Sequence, residues 1–168
     1  KLGEYPGIPR NDGSNIVDEK YNESIFVGYR WTDKEKITPL FPFGHGLSYT
    51  SYKYGKAVID KNIMGDDEVL TVTVPITNIG MRAGSEIVQM YISDLKSSLP
   101  RPVKELKGFS KVSLEPGETK KVTFTINKEA LSFFDDVRHE WIAEPGIFKA
   151  IIAASATDIR SSVIFEYK

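Results

Sequence analysis

Two stretches of the chain alternate apolar and polar residues with the period of a β-strand. In Glu68–Thr77, Leu70, Val72, Val74 and Ile76 share one face, while Val69, Thr71, Thr73, Pro75 and Thr77 fall on the other. Lys120–Asn127 repeats the pattern, with Val122, Phe124 and Ile126 facing one way and Thr123 and Thr125 the other. Ile87–Ser93, Glu105–Leu114, Gly146–Ala154 and Ser161–Tyr167 read as further strands. Tyr54–Lys61 supplies a first strand, and Trp141 with its neighbours a short one. Turn formers separate these runs: Asn78-Ile79-Gly80, Glu115-Pro116-Gly117-Glu118 and Glu144-Pro145-Gly146. Roughly seven short strands in about a hundred residues is the spacing of a β-sandwich. Asn127 is placed to cap a single helical turn over Lys128–Phe133. Pro75 cannot donate to a ladder, so it predicts an edge position or a bulge.

The first fifty residues follow another grammar. Tyr5-Pro6-Gly7-Ile8-Pro9 and Asn11-Asp12-Gly13-Ser14-Asn15 are turn formers without periodicity. Ser24–Trp31, SIFVGYRW, is an apolar and aromatic run with β propensity. One strand cannot bury both of its faces, so this run is predicted to belong to a sheet whose other strands lie elsewhere. Cut off from that sheet, it is expected to fold back on the β-sandwich, pair with another molecule or stay disordered. Pro39–Thr50, PLFPFGHGLSYT, sets Phe41, Phe43, His45 and Tyr49 among prolines and glycines with almost no charge. Rings in that density need something to pack on. The segment reads as a junction pressed between two folded bodies, and the boundary between the halves is placed at about Ser51. The organisation expected is residues 1–50 as remnant plus junction, and residues 51–168 as the complete β-sandwich.

Composition narrows the function classes. The chain has 168 residues, 40% apolar and 27% charged, a globular balance. A net charge of −1 gives no footprint for nucleic acid or an anionic membrane. The absence of cysteine removes disulfides, thiolate chemistry and cysteine-held zinc. No apolar run approaches the ~20 residues of a membrane-spanning helix. The sequence opens on Lys1, so the lack of a secretory leader carries no information.

Several short segments together carry a family likeness. They are Tyr5-Pro6-Gly7, Ile25–Arg30 (IFVGYR), Leu40–Thr50 (LFPFGHGLSYT), Val74–Gly84 (VPITNIGMRAG), Glu86–Tyr91 (EIVQMY), Arg101-Pro102, Lys104–Phe109 (KELKGF) and Leu114–Glu118 (LEPGE). Pro145-Gly146 and Asp158-Ile159-Arg160 fit the same series. In this order and spacing the chain resembles the end of the family 3 glycoside hydrolases, the β-glucosidases and their relatives. The first fifty residues are similar to the end of the second domain, and the rest to the fibronectin type III-like domain that follows it. One departure is Ser24, where family members commonly carry glycine.

The resemblance implies a parent with a catalytic (β/α) barrel, an α/β sandwich and this β-sandwich. It implies retaining hydrolysis of a β-glycosidic bond by an aspartate nucleophile from the barrel and an acid/base glutamate from the second domain. Such a pair stands roughly 5–5.5 Å apart. No family motif carrying either residue occurs in this chain, so no catalytic residue is carried over and substrate-binding residues stay unknown. Neither metal nor cofactor is expected. The implied partners are the barrel and α/β sandwich of the same protein and, through the parent, an oligo- or disaccharide. The family favours a periplasmic or extracellular location.

Some residues invite a sharper reading. Asp135-Asp136, with His139 and Glu140, could form an acid/base or metal site; a charged turn between strands is preferred, because neighbouring strand residues point to opposite faces. Asp66-Asp67-Glu68 reads as a solvated loop. Asn11–Asn15 lacks the spaced ligands and terminal glutamate of a calcium loop and is rejected. His45 is expected to be a packed, hydrogen-bonded interface histidine. Trp141 is expected in the core, and Trp31 is left open between core and sugar platform. Asn22-Glu23-Ser24 satisfies the N-glycosylation triplet, which matters only in a eukaryote. Lys104, Lys107, Lys111, Lys120 and Lys121 are read as a solvated face. The main reading is an accessory, structural domain of a β-glycosidase. An independent carbohydrate-binding or adhesion module is the alternative, and a patch of exposed aromatic residues would favour it.

Overall fold

The computed structural model describes residues 22–168, so Tyr5–Pro9 and Asn11–Asn15 lie outside the described residues. The described chain is a β-sandwich of eleven short strands with two short helices. In the first sheet the long strand β4 (Leu70–Asn78) pairs antiparallel with β7 (Thr119–Ile126) along one edge. Its other edge takes β1 (Tyr52–Tyr54) and β2 (Val58–Ile59) end to end. The second sheet runs in the order β3-β11-β10-β5-β6. Its strands are β3 (Ile63–Met64), β11 (Ile159–Tyr167), β10 (Gly146–Ala153), β5 (Gly84–Asp94) and β6 (Glu105–Leu114). β8 (Phe133–Asp135) and β9 (Glu140–Ile142) form a separate hairpin.

The alternation in the sequence becomes the core. Leu70, Val72, Val74 and Ile76 are fully buried, and Val122, Phe124 and Ile126 of β7 lie beside them on the same face of the sheet. Val88, Met90 and Ile92 of β5, Phe148, Ala150 and Ile152 of β10, and Phe165 and Tyr167 of β11 close the other side. β5 and β10 are also covered on their outer faces, where Tyr91, Ile151, Ala153 and Ala156 gather with Tyr29 and Leu106. Those strands therefore read as near-continuous apolar runs instead of alternating ones. The capped turn is found as α2 (Lys128–Leu131), with Ala130 N donating to Asn127 Oδ1 at 3.1 Å.

Three expectations are corrected. The first strand is broken in two: Gly55 N still donates to Pro75 O at 2.8 Å, but Pro75 has no N–H to return the bond. Pro75 accordingly sits in an interior strand, not an edge or bulge. Its missing N–H falls at the gap between β1 and β2, where Gly55 leaves room for the proline ring. Ser24–Trp31 is not a strand. The chain turns at Ser24 (φ 54°) and Gly28 (φ 61°) and enters helix α1 (Tyr29–Lys34). With no neighbouring strand among the described residues to hydrogen-bond, the run satisfies amides locally, as in Phe26 N to Glu23 O at 3.0 Å and Trp31 N to Gly28 O at 3.1 Å. It does fold back on the β-sandwich. Tyr29 Oη accepts from Leu106 N at 2.9 Å, Arg30 reaches Glu105 at 3.3 Å, and Lys104 pairs with Asp33.

Candidate functional site

The junction lies along the outer face of the second sheet. Phe43 O accepts from Ala156 N at 2.8 Å, and the Phe43 ring packs 5.5 Å from that of Tyr29. Gly44 presses against the amide of Gln89, whose Oε1 accepts from Tyr91 Oη at 2.5 Å. At the far end, Thr50 Oγ1 donates to Asn78 Oδ1 at 2.6 Å. Asn78 is buried with all its hydrogen-bonding capacity in use: Gly80 N also donates to its Oδ1, and its Nδ2 donates to Arg82 O and Leu114 O. This is why an asparagine opens the Asn78-Ile79-Gly80 turn. It ties that turn, β6 and the junction together.

The opposite side of the junction is bare. Leu40, Phe41, Leu47 and Tyr49 are 89, 69, 95 and 93% exposed. His45 is exposed too, its ring 5.3 Å from that of Phe41. The expected packed histidine is thus not what the described residues form, because the junction turns this side chain outward. Beneath Gly44–Ser48 runs a groove of about 680 Å³, lined also by Ser85, Glu86, Asp158 and Arg160. Tyr54 Oη donates to Glu86 at 2.7 Å, and burial pushes both the Glu86 carboxyl and the Tyr54 phenol up. Arg160 neutralises Asp158 at 2.6 Å and lies 5.3 Å from the Tyr54 ring.

A second feature sits on the β8–β9 hairpin. Trp141 is 71% exposed and meets Phe134, 47% exposed, edge to face at 5.7 Å. This corrects the core reading. Among the described residues β9 pairs with β8 alone, and Trp141 stands on a face open to solvent. The two rings border a cavity of about 440 Å³ that Arg101 and Glu105 also line. Arg101, nearly fully buried, bonds Asp94 at 3.2 Å, Glu105 at 2.8 Å and Leu131 O at 2.9 Å, and lies 5.0 Å from the Phe133 ring.

Asp135 ends β8, and its Oδ1 accepts from Val137 N at 2.9 Å and Arg138 N at 3.0 Å. Those amides hold its carboxyl below the usual range. It is buried, while Asp136 is exposed, so the pair makes a turn and no shared site. Asp66, Asp67 and Glu68 form an exposed turn. Lys111, Lys120 and Lys121 are exposed as expected, but Lys104 is buried beneath helix α1, 5.7 Å from the Tyr91 ring. Lys107 is partly covered, and burial pulls its ammonium down. Trp31 is half-buried, with the Lys34 ammonium 5.5 Å from its ring. Asn22 is exposed. Among the described residues no group of three or more His, Asp or Glu could hold a metal, and no helix is long and apolar enough to cross a membrane.

A two-sheet sandwich with this strand order defines a structural domain of the immunoglobulin-like class. Residues 86–156 match the fibronectin type III-like domain family, and the sandwich is a domain of that family. The chain is 53% identical over 163 residues to a β-glucosidase of Bacteroides ovatus, covering 97% of this chain and 21% of that protein. It is 49% identical over 159 residues to thermostable β-glucosidase B of Acetivibrio thermocellus, covering 95% and 21%. Among solved structures, β-glucosidase 3B of Thermotoga neapolitana in complex with glucose superposes with a TM-score of 0.83 at 35% identity, over 98% of this chain and 22% of that one. The Kluyveromyces marxianus β-glucosidase gives 0.82 at 41%, over 88% and 18%. The chain thus resembles the fibronectin type III-like part of β-glucosidases and spans about a fifth of the length of the curated relatives it matches.

Proposed function

We propose that this chain is the supporting β-sandwich of a family 3 glycoside hydrolase, a β-glucosidase or a neighbouring exo-acting β-glycosidase. Residues before about Ser51 are the end of that enzyme's α/β sandwich. Both catalytic carboxylates belong to the bodies outside this chain, so the chain alone hydrolyses nothing. Its work is mechanical: it buries apolar surface against the catalytic bodies and fixes their relative geometry. The parent removes terminal β-linked sugars, and a periplasmic or extracellular setting suits that substrate.

One observation carries the reading. The junction is fixed to the sandwich on one side by Phe43, Gly44 and Thr50, and presents Leu40, Phe41, Leu47 and Tyr49 almost fully exposed on the other. Leaving such side chains wet costs about 25 cal/mol per Å² of apolar surface, which favours a covering body. The test is deletion of Tyr54–Lys168 from the full-length enzyme. Its melting temperature and its turnover of an aryl β-glucoside should both fall. An enzyme unchanged in both refutes the supporting role, and turnover by the purified chain refutes its inactivity.

A further inference from the structure

We propose that the Trp141–Phe134 edge is a binding surface for a pyranose unit of a β-glucan chain. It rests on the reading above that β-glucosides are what the parent enzyme meets. A sugar ring offers two chemistries at once: a C–H face that stacks on an aromatic ring, and hydroxyls around the rim that need polar partners. The hairpin presents both. Trp141 and Phe134 supply two rings packed edge to face at 5.7 Å, and the largely apolar cavity they border is also lined by Arg30, Arg101, Glu105 and Asp136.

The polar groups are held in place before any ligand arrives. Glu105 is fixed by Arg101 at 2.8 Å and by Arg30 at 3.3 Å, and Arg101 is anchored by Asp94 and by Leu131 O. A site whose rotamers are locked loses little entropy on binding. The volume, about 440 Å³, falls within the range of small-molecule sites, which combine apolar walls with a few placed polar groups. Among the described residues the strands of this hairpin, β8 and β9, pair only with each other, and both rings are open to solvent.

The test is affinity electrophoresis of the full chain in native gels containing a soluble mixed-linkage β-glucan, beside gels containing an α-linked dextran. The wild-type chain should be retarded by the β-glucan and not by the dextran. Trp141→Ala should weaken that retardation by about tenfold, the scale of one lost aromatic contact. Its thermal unfolding should coincide with wild type, since the removed ring is mostly in water. Trp141→Phe should keep part of the effect. A wild-type chain that migrates unchanged, equal retardation in dextran, or retardation that survives Trp141→Ala overturns the proposal. No retardation of the wild type, joined to a lower melting temperature for Trp141→Ala in the full-length enzyme, assigns the face to a domain contact instead. Glucan retention of this chain is read independently of the deletion experiment, so either reading can fail alone.

Discussion

At Gly44 the backbone stands at φ 82° and lies so close to the Gln89 amide that a Cβ would collide with it. Gln89 is buried and cannot retreat without breaking its bond from Tyr91 Oη. Gly44→Ala therefore meets two penalties, a left-handed backbone and an overpacked neighbour, together about 1–3 kcal/mol. The chain carrying it should show a lower melting temperature and faster hydrogen exchange at Ala156 N, which donates to the adjoining Phe43 carbonyl. Unchanged exchange there would mean that the junction does not depend on this close approach. Lys104 makes a related point. Read along the sequence it is one lysine among several, but its partner Asp33 is 71 residues away. A buried ammonium is tolerated only with such a partner.

At the scale of elements, the acidic residues of the loops serve the backbone. Asp60 accepts from Lys61 N and Thr71 N, Glu68 from Gly65 N, Glu118 from Glu115 N, Asp135 from Val137 N and Arg138 N, and Glu144 from Ser98 N. These bonds, with ion pairs from Lys61 to Glu68 and Lys120 to Glu118, hold all five carboxyls below their ordinary values. Between a depressed pKa and the ordinary value near 4 the unfolded chain binds more protons than the folded one, so stability falls as pH falls. Glu86 opposes this, since its raised carboxyl adds stability when protonated and loses it as pH rises. Glu86 stands against these five and against Asp66, which the Lys128 ammonium and the Tyr167 hydroxyl also hold low. The melting temperature should fall as pH is lowered from about 6 to about 3, with most of the loss below about 4; a flat profile would contradict the role given to these turns. The turns were legible because Asn78-Ile79-Gly80 and Glu115–Glu118 carry their own chemistry, and β4 and β7 because one buried face imposes a strict period. β6 was found with its full bounds, Glu105–Leu114. Ser24–Trp31 was misread because β propensity says nothing about a missing neighbour strand. Trp141 was misread because a strand in a two-stranded ribbon has one face that nothing covers.

On the scale of the whole molecule, the exposed side of the junction separates two physical situations that the same substitution can tell apart. Leu47 and Tyr49 contribute almost nothing to the described chain by burial, since both stand in water. The double variant Leu47→Ser, Tyr49→Ser should therefore leave the melting temperature of this chain within the spread of ordinary surface changes, about 0.5 kcal/mol. In the full-length enzyme the proposed docking removes both side chains from water, at about 1.5–3 kcal/mol for each one fully buried. There the same variant should lower the melting temperature and loosen the sandwich, read as earlier proteolytic cleavage between about Ser51 and the catalytic bodies. Full-length and isolated chains that respond alike would mean that the rings never meet a partner. The mechanical role would then have to rest on the groove below Gly44–Ser48, where Glu86 is already engaged by Tyr54 and Asp158 by Arg160. The Asp158–Arg160 pair stands largely in water, where such pairs contribute little, so most of the docking energy has to come from the bare rings beside it.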